Sequence, residues 1–351
     1  MSKKRRAGGS SPPGSELAKK IDLLLADFRD NPNLVYARRE IERVVEMLQE
    51  DVERLDWKIA SAAARELRHS FRVFSPYRER RKVTVFGSAR AAPDSESFRA
   101  ASEFALRIAE HGFMVMTGAG DGIMLAANRG AGARSSFGLN IDLPWEQKAN
   151  EVVAGDEKLI NFKYFFTRKL TFIKESHALA LFPGGFGTLD EAFELLTLIQ
   201  CGKSPILPIV MIDVPELNYW TKWLRFMQTS QLRNGFISKD DLYLWSITYD
   251  VDEAVRIITG FYRNYHSQRW VGDRMVLRLE RPLRDAELIG LNRDFGAIVP
   301  QGRIEQREAL TGEADADGEI EFPELPRLVF RFDRRSFGRL RRMIDRINQF
   351  A

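Results

Sequence analysis

Short apolar segments alternate with amphipathic segments through the middle of the chain. Glycine and proline bound the apolar runs, and the amphipathic stretches repeat their apolar residues at helical spacing. This alternation predicts an α/β fold, a Rossmann-like doubly wound parallel sheet covered by helices on both faces. The predicted strands are 82–86, 113–116, 137–143, 178–182 and 208–212, and the predicted helices are about 96–111, 123–129, 162–175 and 188–201.

The two flanks of this region have different patterns. Apolar residues recur every three, four and seven positions from Leu34 to Ile59, which predicts N-terminal helices that face a core or another subunit. Beyond residue 268, short runs at 275–279, 298–299, 320–322 and 328–332 precede an amphipathic, arginine-rich helix. We therefore predict a disordered basic tail (1–15), a helical region (16–78), a Rossmann-like domain (79–265) and a small C-terminal α+β appendage (266–351).

Composition narrows the class of protein. The net charge is +4 over 351 residues, a mild excess that suits anionic small molecules such as nucleotides. No run approaches the ~20 apolar residues of a membrane span, and the basic start lacks the apolar stretch of a secretory signal. The single cysteine, Cys201, excludes an internal disulfide and a multi-cysteine zinc site. We expect a cytoplasmic protein that does not associate with membranes.

The most informative motif follows the predicted strand 178–182. Gly184, Gly185 and Gly187 precede a helix that Thr188 is expected to open, with Glu191 one turn further on. Backbone N–H groups and a helix N-terminus bind anions there, and glycines leave room for a phosphate. The same residues also fit a capping box, in which Thr188 caps the helix and Glu191 reaches back to the cap. Three glycines at one turn favour a phosphate site with an adjacent carboxylate.

Two further segments are candidates for the same site. Gly118, Gly120 and Gly122 follow the strand 113–116, at the edge where ligands bind in parallel sheets, although they lack the full dinucleotide-binding spacing. Arg168 and Lys169 lie on a helix rich in aromatic residues. Such a pair is usually a solvated face, but a buried arginine suits a bidentate contact with phosphate. The sequence has no P-loop, no serine-nucleophile motif and no metal-binding histidine spacing.

Together these segments resemble the LOG ("Lonely guy") family, whose members are nucleoside 5′-monophosphate phosphoribohydrolases long mislabelled lysine decarboxylases. The resemblance rests on 183–191 (PGGFGTLDE), Arg168-Lys169 and 118–124 (GAGDGIM), and it covers about 81–262. The segment 138–144, with Glu146 and Gln147, looks like the longer bacterial branch. The first turn reads Phe-Gly-Ser-Ala where many members have Cys-Gly-Ser, and Ala119 replaces a glycine of the second turn.

The resemblance implies an enzyme that needs no cofactor or metal and releases a free base from a nucleoside monophosphate, AMP-like or a cytokinin ribotide. It also implies a homodimer or higher homo-oligomer with a shared site. The implied catalytic residues are Arg168 and Glu191, and the implied substrate-binding residues are Gly87, Ser88, Gly118, Gly120, Gly122, Met124, Asn140, Lys169, Gly184, Gly185, Gly187 and Thr188. A pyridoxal-phosphate decarboxylase is disfavoured, because nothing singles out a Schiff-base lysine with its acidic partner.

Two other functions stay open at this level. The superfamily resemblance extends to proteins that bind a nucleotide or the molybdenum cofactor without hydrolysis, although a carrier does not need both Arg168 and Glu191. Nucleic-acid binding through the tail and the last helix is the third hypothesis. The apolar face of that helix favours packing on the body of the protein or on another subunit over contact with nucleic acid.

Overall fold

A computed structural model describes residues 14–143, 148–315 and 318–351. Residues 1–13 of the predicted tail, and Pro144, Glu146 and Gln147 of the bacterial-branch motif, lie outside these ranges. The chain divides into two compact units. One unit comprises Met1–Ser61 with Ala314–Ile320, and the other comprises Ala62–Glu313 with Glu321–Ala351.

The smaller unit is helical. It contains α1 (Gly14–Leu24), α2 (Leu34–Gln49) and the first part of α3 (Arg54–Phe74). No side chain of α2 is buried, and Leu48 is 69% exposed. The apolar residues whose spacing predicts these helices therefore remain at least partly accessible in the single chain.

The larger unit contains a seven-stranded sheet in which every pair of neighbouring strands is parallel. The strand order is β4-β3-β2-β1-β5-β6-β7, which is the doubly wound order that the sequence predicts. The predicted Rossmann-like fold class is thus confirmed. The strands are β1 (Lys82–Phe86), β2 (Met114–Thr117), β3 (Ser136–Ile141), β4 (Leu159–Phe162), β5 (Ala178–Leu181), β6 (Ile209–Ile212) and β7 (Trp245–Thr248).

Helices cover both faces of this sheet, because its strands carry apolar side chains on both sides. One face packs against Phe104, Ala126 and Ile258 of three helices, and the other packs against Phe172 and Leu195. Ser95 caps one of these helices by accepting a hydrogen bond from the Phe98 N–H at 3.3 Å. The helices are α4 (Glu96–Glu110), α5 (Ile123–Ala131), α6 (Phe165–Glu175), α7 (Phe186–Gln200), α8 (Tyr219–Phe226) and α9 (Val251–Phe261). No helix in the described ranges has the length and hydropathy to cross a membrane.

The C-terminal appendage belongs to the same compact unit. It has an antiparallel sheet of order β10-β11-β9-β8 and two helices. Leu277, Phe330 and Ile344 extend the apolar core of the parallel sheet into the appendage without a break. The elements are β8 (Tyr265–Val271), β9 (Arg274–Leu279), α10 (Asp285–Phe295), β10 (Glu305–Arg307), β11 (Arg327–Arg331) and α11 (Phe337–Gln349).

Two short predicted strands of the appendage are wrong. The predicted strand 298–299 lies at the end of a 3₁₀ turn, Gly296–Ile298, that directly follows α10. The predicted strand 320–322 is irregular. One is the apolar pair Ile298-Val299 and the other is Ile320-Glu321-Phe322, and runs this short cannot distinguish a strand from a turn. The sequence reasoning also missed β8, since its residues alternate between polar and aromatic types without an apolar run.

Candidate active site

The site lies at the carboxyl edge of the parallel sheet, between β1 and β5. The strand order reverses there, so the helices that follow the two strands, α4 and α7, pack on opposite faces of the sheet and leave a crevice. The N–H of Ser88, in the turn after β1, donates to the carbonyl of Pro183, in the turn after β5, at 3.0 Å. This bond fixes the two turns side by side at the base of a cavity of about 750 Å³.

Ten of the fourteen residues implied by the resemblance line this cavity. They are Gly87, Ser88, Gly118, Met124, Arg168, Gly184, Gly185, Gly187, Thr188 and Glu191. The structure therefore brings together three turns and two helices that are up to about a hundred residues apart in the chain.

The other four candidates lie behind the cavity wall. The carbonyl of Gly120 accepts from Asn150 Nδ2 at 3.1 Å, and Asn140 Nδ2 donates to Asn161 Oδ1 at 3.0 Å. Gly122 has a φ of +61°, and a Cβ there would lie 2.3 Å from the carbonyl oxygen of Ser88. Its role in the structure is to let the second turn pack on the first. The fourth residue, Lys169, contacts the site through Glu191.

At Gly87, Gly118 and Gly184 of the cavity, a Cβ would come so close to a neighbouring residue that one of the two would have to shift. A Cβ on Gly184 would lie 2.1 Å from Thr188 Oγ1, and a Cβ on Gly118 would lie 2.4 Å from Arg168 Nη2. In contrast, apart from the chain neighbours and the backbone of the helix itself, no atom of the described residues lies within 4 Å of the position of a Cβ on Gly185 or Gly187. The backbone at these two positions is therefore open to the cavity, where a ligand can approach it closely.

Helix α7 begins earlier than the sequence indicates. Its first residue is Phe186 and its N-cap is Gly185, without a side-chain cap. Thr188 lies inside the first turn, so the capping-box interpretation of Thr188 and Glu191 is wrong. The first N–H groups of the helix have no intrahelical acceptor and lie at the cavity lined by residues 184–191. This end of the helix is suited to bind an anion.

Arg168 lies on α6, and a hydrogen bond from its guanidinium to a backbone carbonyl holds the side chain at the cavity. Its Nε donates to the carbonyl oxygen of Leu139 at 2.8 Å, which directs the rest of the guanidinium toward Gly118. Burial lowers the pKa of Arg168 to about 10, and the neighbouring Glu191 partly opposes this shift. The guanidinium stays charged at neutral pH and is only partly satisfied by protein groups.

Glu191 is buried at the same cavity, with 8% of its surface exposed. Its Oε1 lies 3.3 Å from Lys169 Nζ, while that ammonium is closer to Asp190, at 2.9 Å, and to Glu194, at 2.5 Å. Burial raises the pKa of Glu191 to about 6, against the opposing effect of Lys169. The carboxylate is thus weakly compensated and can accept a proton near neutral pH.

The sequence reasoning missed the aromatic and apolar residues of the cavity. Ile141, Leu143 and Phe165 form part of its wall, and Phe186 stands at its mouth with 94% of its surface exposed. The Tyr219 hydroxyl donates to the carbonyl of Gly184 at 2.8 Å and so supports the glycine turn from α8. Tyr219 lies 35 residues from its partner, and no local pattern identifies such a contact.

A family model described as "Possible lysine decarboxylase" matches residues 116–258, which include the second and third glycine turns, Arg168 and Glu191. This is the earlier label of the LOG proteins. We call the α/β domain that contains these matched residues the LOG domain. The resemblance inferred from the motifs is thereby confirmed. No curated protein matches the chain.

Several solved structures are similar to about half of this chain. The molybdenum cofactor binding protein of Rippkaea orientalis is 19% identical, with a TM-score of 0.37, over 52% of this chain and 96% of that chain. The molybdenum cofactor carrier protein of Chlamydomonas reinhardtii is 20% identical, with a TM-score of 0.36, over 52% and 97%. DNA processing protein A of Helicobacter pylori is 13% identical, with a TM-score of 0.34, over 50% and 79%.

Proposed function

We propose that this chain hydrolyses the N-glycosidic bond of nucleoside 5′-monophosphates and releases a free base and ribose 5-phosphate. The observation that carries the proposal is Glu191, a buried carboxylate with a raised pKa beside an open glycine turn. A binding protein needs the glycine turn. It has no need of a buried, weakly compensated acid at the same cavity, because such a group destabilises the fold.

In this proposal the phosphate binds at the start of α7. The backbone at Gly185 and Gly187 is open to the cavity, so a phosphate can reach the free N–H groups of the first helical turn. The charged guanidinium of Arg168 lies across the cavity and donates to the phosphate or to the ribose hydroxyls. Both contacts place the ribose near Glu191.

Bond cleavage then follows the logic of glycoside hydrolysis. The C1′–N bond breaks with oxocarbenium character at the ribose, and a water oxygen forms the new bond to C1′. Ionised Glu191 stabilises the developing cation and accepts one proton of the attacking water. The departing nitrogen takes up a proton from solvent, and Glu191 returns its proton to solvent, so that the water is consumed without a net gain or loss of protons. The reaction as written consumes one water and needs no redox step.

The shape of the cavity supports a planar base and a second subunit. Ile141, Leu143 and Phe165 offer the base an apolar surface, as an adenine or a prenylated adenine of a cytokinin ribotide requires. Phe165 and Phe186, which line the cavity, expose 54% and 94% of their surfaces, and Phe166, next to Phe165 in the chain, exposes 52%. A patch of this kind marks an interaction surface, and we propose that a second copy of the chain covers it and completes the site.

The test is incubation of the purified protein with AMP, GMP, CMP, UMP and isopentenyladenosine monophosphate, with base release followed by chromatography. The proposal predicts release from at least one nucleotide and a loss of about 10²–10⁴-fold in kcat for Glu191→Gln. Glu194→Gln is the matched control, because Glu194 shares Lys169 with Glu191 but does not line the cavity. The control is expected to retain turnover.

Two results would contradict the proposed reaction. Equal loss of turnover in Glu191→Gln and Glu194→Gln would show that Glu191 has no catalytic role beyond that of its neighbour. Retention of a nucleotide without release of base from any of the five would instead support a protein that binds a nucleotide or the molybdenum cofactor without hydrolysis. In that case a search for the ligand copurified with the protein becomes the next experiment.

A further inference from the structure

A second cavity lies at the opposite edge of the parallel sheet, where the strands begin. Its volume is about 610 Å³, within the range of small-molecule sites. Arg81 and His177 directly precede β1 and β5, and Leu207 lies just before β6. Tyr265 and Gln268 of β8 close the cavity from the side of the appendage. The site thus exists because the appendage packs on the LOG domain.

The charges that line this cavity are mostly positive. Four cationic side chains face one carboxylate, Glu79, and the four are Arg78, Arg81, Lys174 and Lys203. Lys174 is paired with Glu175. Within the ranges that the structure describes, no carboxylate lies within 4.0 Å of the charged groups of Arg78, Arg81 or Lys203. Grouped cations without acidic partners favour an anionic ligand.

Arg81 is preorganised to bind such an anion. Its guanidinium lies over the ring of Tyr262, 3.8 Å from the ring centroid. Tyr262 is itself fixed, because its hydroxyl donates to the carbonyl of His177 at 2.6 Å. Since the face of the guanidinium is occupied by the ring, its N–H groups remain to donate in the plane, as a bidentate contact with phosphate requires.

Neutral polar groups complete the lining. Gln268 Oε1 accepts from the Ile206 N–H and from the Tyr265 hydroxyl, each at 3.3 Å, so the amide NH₂ of Gln268 is left to donate. Burial lowers the pKa of His177 to about 4, and burial also lowers the pKa of His266. Both imidazoles are therefore neutral at pH 7 and serve as hydrogen-bonding groups instead of cations.

Helix dipoles oppose an anion at this edge. The helices of a parallel sheet end where its strands begin, and α6 and the turn after α7 contribute Lys174 and Lys203 from their C-terminal ends. The carbonyl ends of helices carry partial negative charge. The attraction must then come from the side-chain cations, so binding there should weaken steeply with ionic strength.

We propose that this cavity is a second binding site, specific for a small phosphorylated ligand. Arg78, Arg81 and Lys203 bind the phosphate groups, and the apolar surfaces of Leu170 and Phe322 contact the rest of the ligand. The site is separate from the carboxyl-edge cavity, and the proposal stands whether or not the LOG domain hydrolyses nucleotides.

Calorimetric titration of the full chain with inorganic pyrophosphate and with ADP tests the proposal. The Arg168→Met background weakens the carboxyl-edge site, so that the remaining binding reports on the second cavity. Arg78→Ala/Lys203→Ala removes two exposed cations that the described fold does not use, and it should weaken both ligands at least about tenfold. The matched control is Arg233→Ala/Arg256→Ala, two exposed arginines away from the cavity, which should leave both affinities unchanged.

The outcomes distinguish a specific phosphate-binding site from a general effect of the protein's net charge on anion binding. Equal weakening in the control, or no binding in the Arg168→Met background, would overturn the proposal. A selective loss in Arg78→Ala/Lys203→Ala would support it. Tighter binding of ADP than of pyrophosphate would then identify an organic phosphate as the ligand class, and equal binding would identify inorganic phosphates.

Discussion

Glu191 of the LOG domain and Glu313 of the appendage are both buried, but they meet opposite environments. The Glu313 carboxylate accepts from Arg327 Nε and from the Leu310 N–H, each at 3.1 Å, and from Arg278 Nη2 at 3.2 Å. Burial alone would raise its pKa, yet these hydrogen bonds and charges hold the pKa below its usual value. Glu191 has one cation at 3.3 Å, shared with two other carboxylates, and its pKa is raised to about 6.

The difference distinguishes a structural carboxylate from a reactive one. Two arginines and a backbone N–H satisfy Glu313, so it stays ionised and fixes the appendage. Glu191 is left short of donors on the side that faces the cavity, so its charge remains available to a substrate. Burial by itself is common to both residues, and the number of donors around each carboxylate separates them.

The largest expected effect is the loss of stability in Glu313→Gln. This change leaves the buried guanidinium of Arg327 without a carboxylate and leaves Arg278 with Glu321 alone, and we expect the free energy of unfolding to fall by about 3–5 kcal/mol. Urea unfolding followed by circular dichroism measures it. The control Glu308→Gln, at an exposed position, should change stability by less than about 0.5 kcal/mol. A loss below about 1 kcal/mol for Glu313→Gln would contradict the structural role that the comparison assigns to Glu313.

The pH profile is the next test. Ionised Glu191 is the active form, and its pKa is about 6, so kcat/KM should reach a plateau above pH 7. Below about pH 5 it should fall about tenfold for each pH unit. The measurement is initial rates from pH 4.5 to 8 with the best nucleotide of the panel. A profile that stays flat across this range would show that no group of such a pKa acts in the reaction.

Lys169→Met should shift the acid limb of the profile, which is the fall of kcat/KM at low pH. Removing the ammonium takes away the main group that lowers the pKa of Glu191, and the pKa should rise by about one unit. The kcat/KM profile would shift upward in pH while its plateau is largely kept. Lys222→Met, which removes an exposed lysine of α8, provides the control and should leave the limb in place. A downward shift in Lys169→Met would contradict the assignment of the limb to Glu191.

The smallest effect is a gain in stability for Glu191→Gln. The rise of the pKa from 4.5 to about 6 means that ionised Glu191 destabilises the fold by about 2 kcal/mol. Since the folded-state pKa is the higher one, this cost is absent below about pH 4.5, grows through pH 6 and is constant above pH 7. Allowing for the lost contact with Lys169, we expect a gain of about 1 kcal/mol at pH 8 and none at pH 4. Thermal unfolding at both pH values measures the difference, and an equal change at both would refute this explanation.

Local pattern predicted five of the seven strands of the parallel sheet, missing β4 and β7, and it predicted the appendage poorly. β1, at Lys82–Phe86, has the predicted bounds because a wholly buried strand between polar ends needs no partner to be recognised. β8 has a polar sequence, and its pairing with β9 decides its conformation. The start of α7 was placed too late for a similar reason. The turn is held by the contacts of Gly184 with Thr188 and Tyr219, which are not visible in the order of the residues.

The sequence alone determined the fold class, the resemblance to the LOG family and the three turns that meet at one edge of the sheet. Periodicity and glycine spacing encode these features locally, and the rules of parallel sheets bring the turns together. Only the tertiary structure decided that Lys169 is shared by three carboxylates, that Glu191 is left weakly compensated, and that the appendage encloses a second basic cavity. These properties depend on burial and on distances between side chains that are far apart in the chain. No short stretch of sequence determines either quantity.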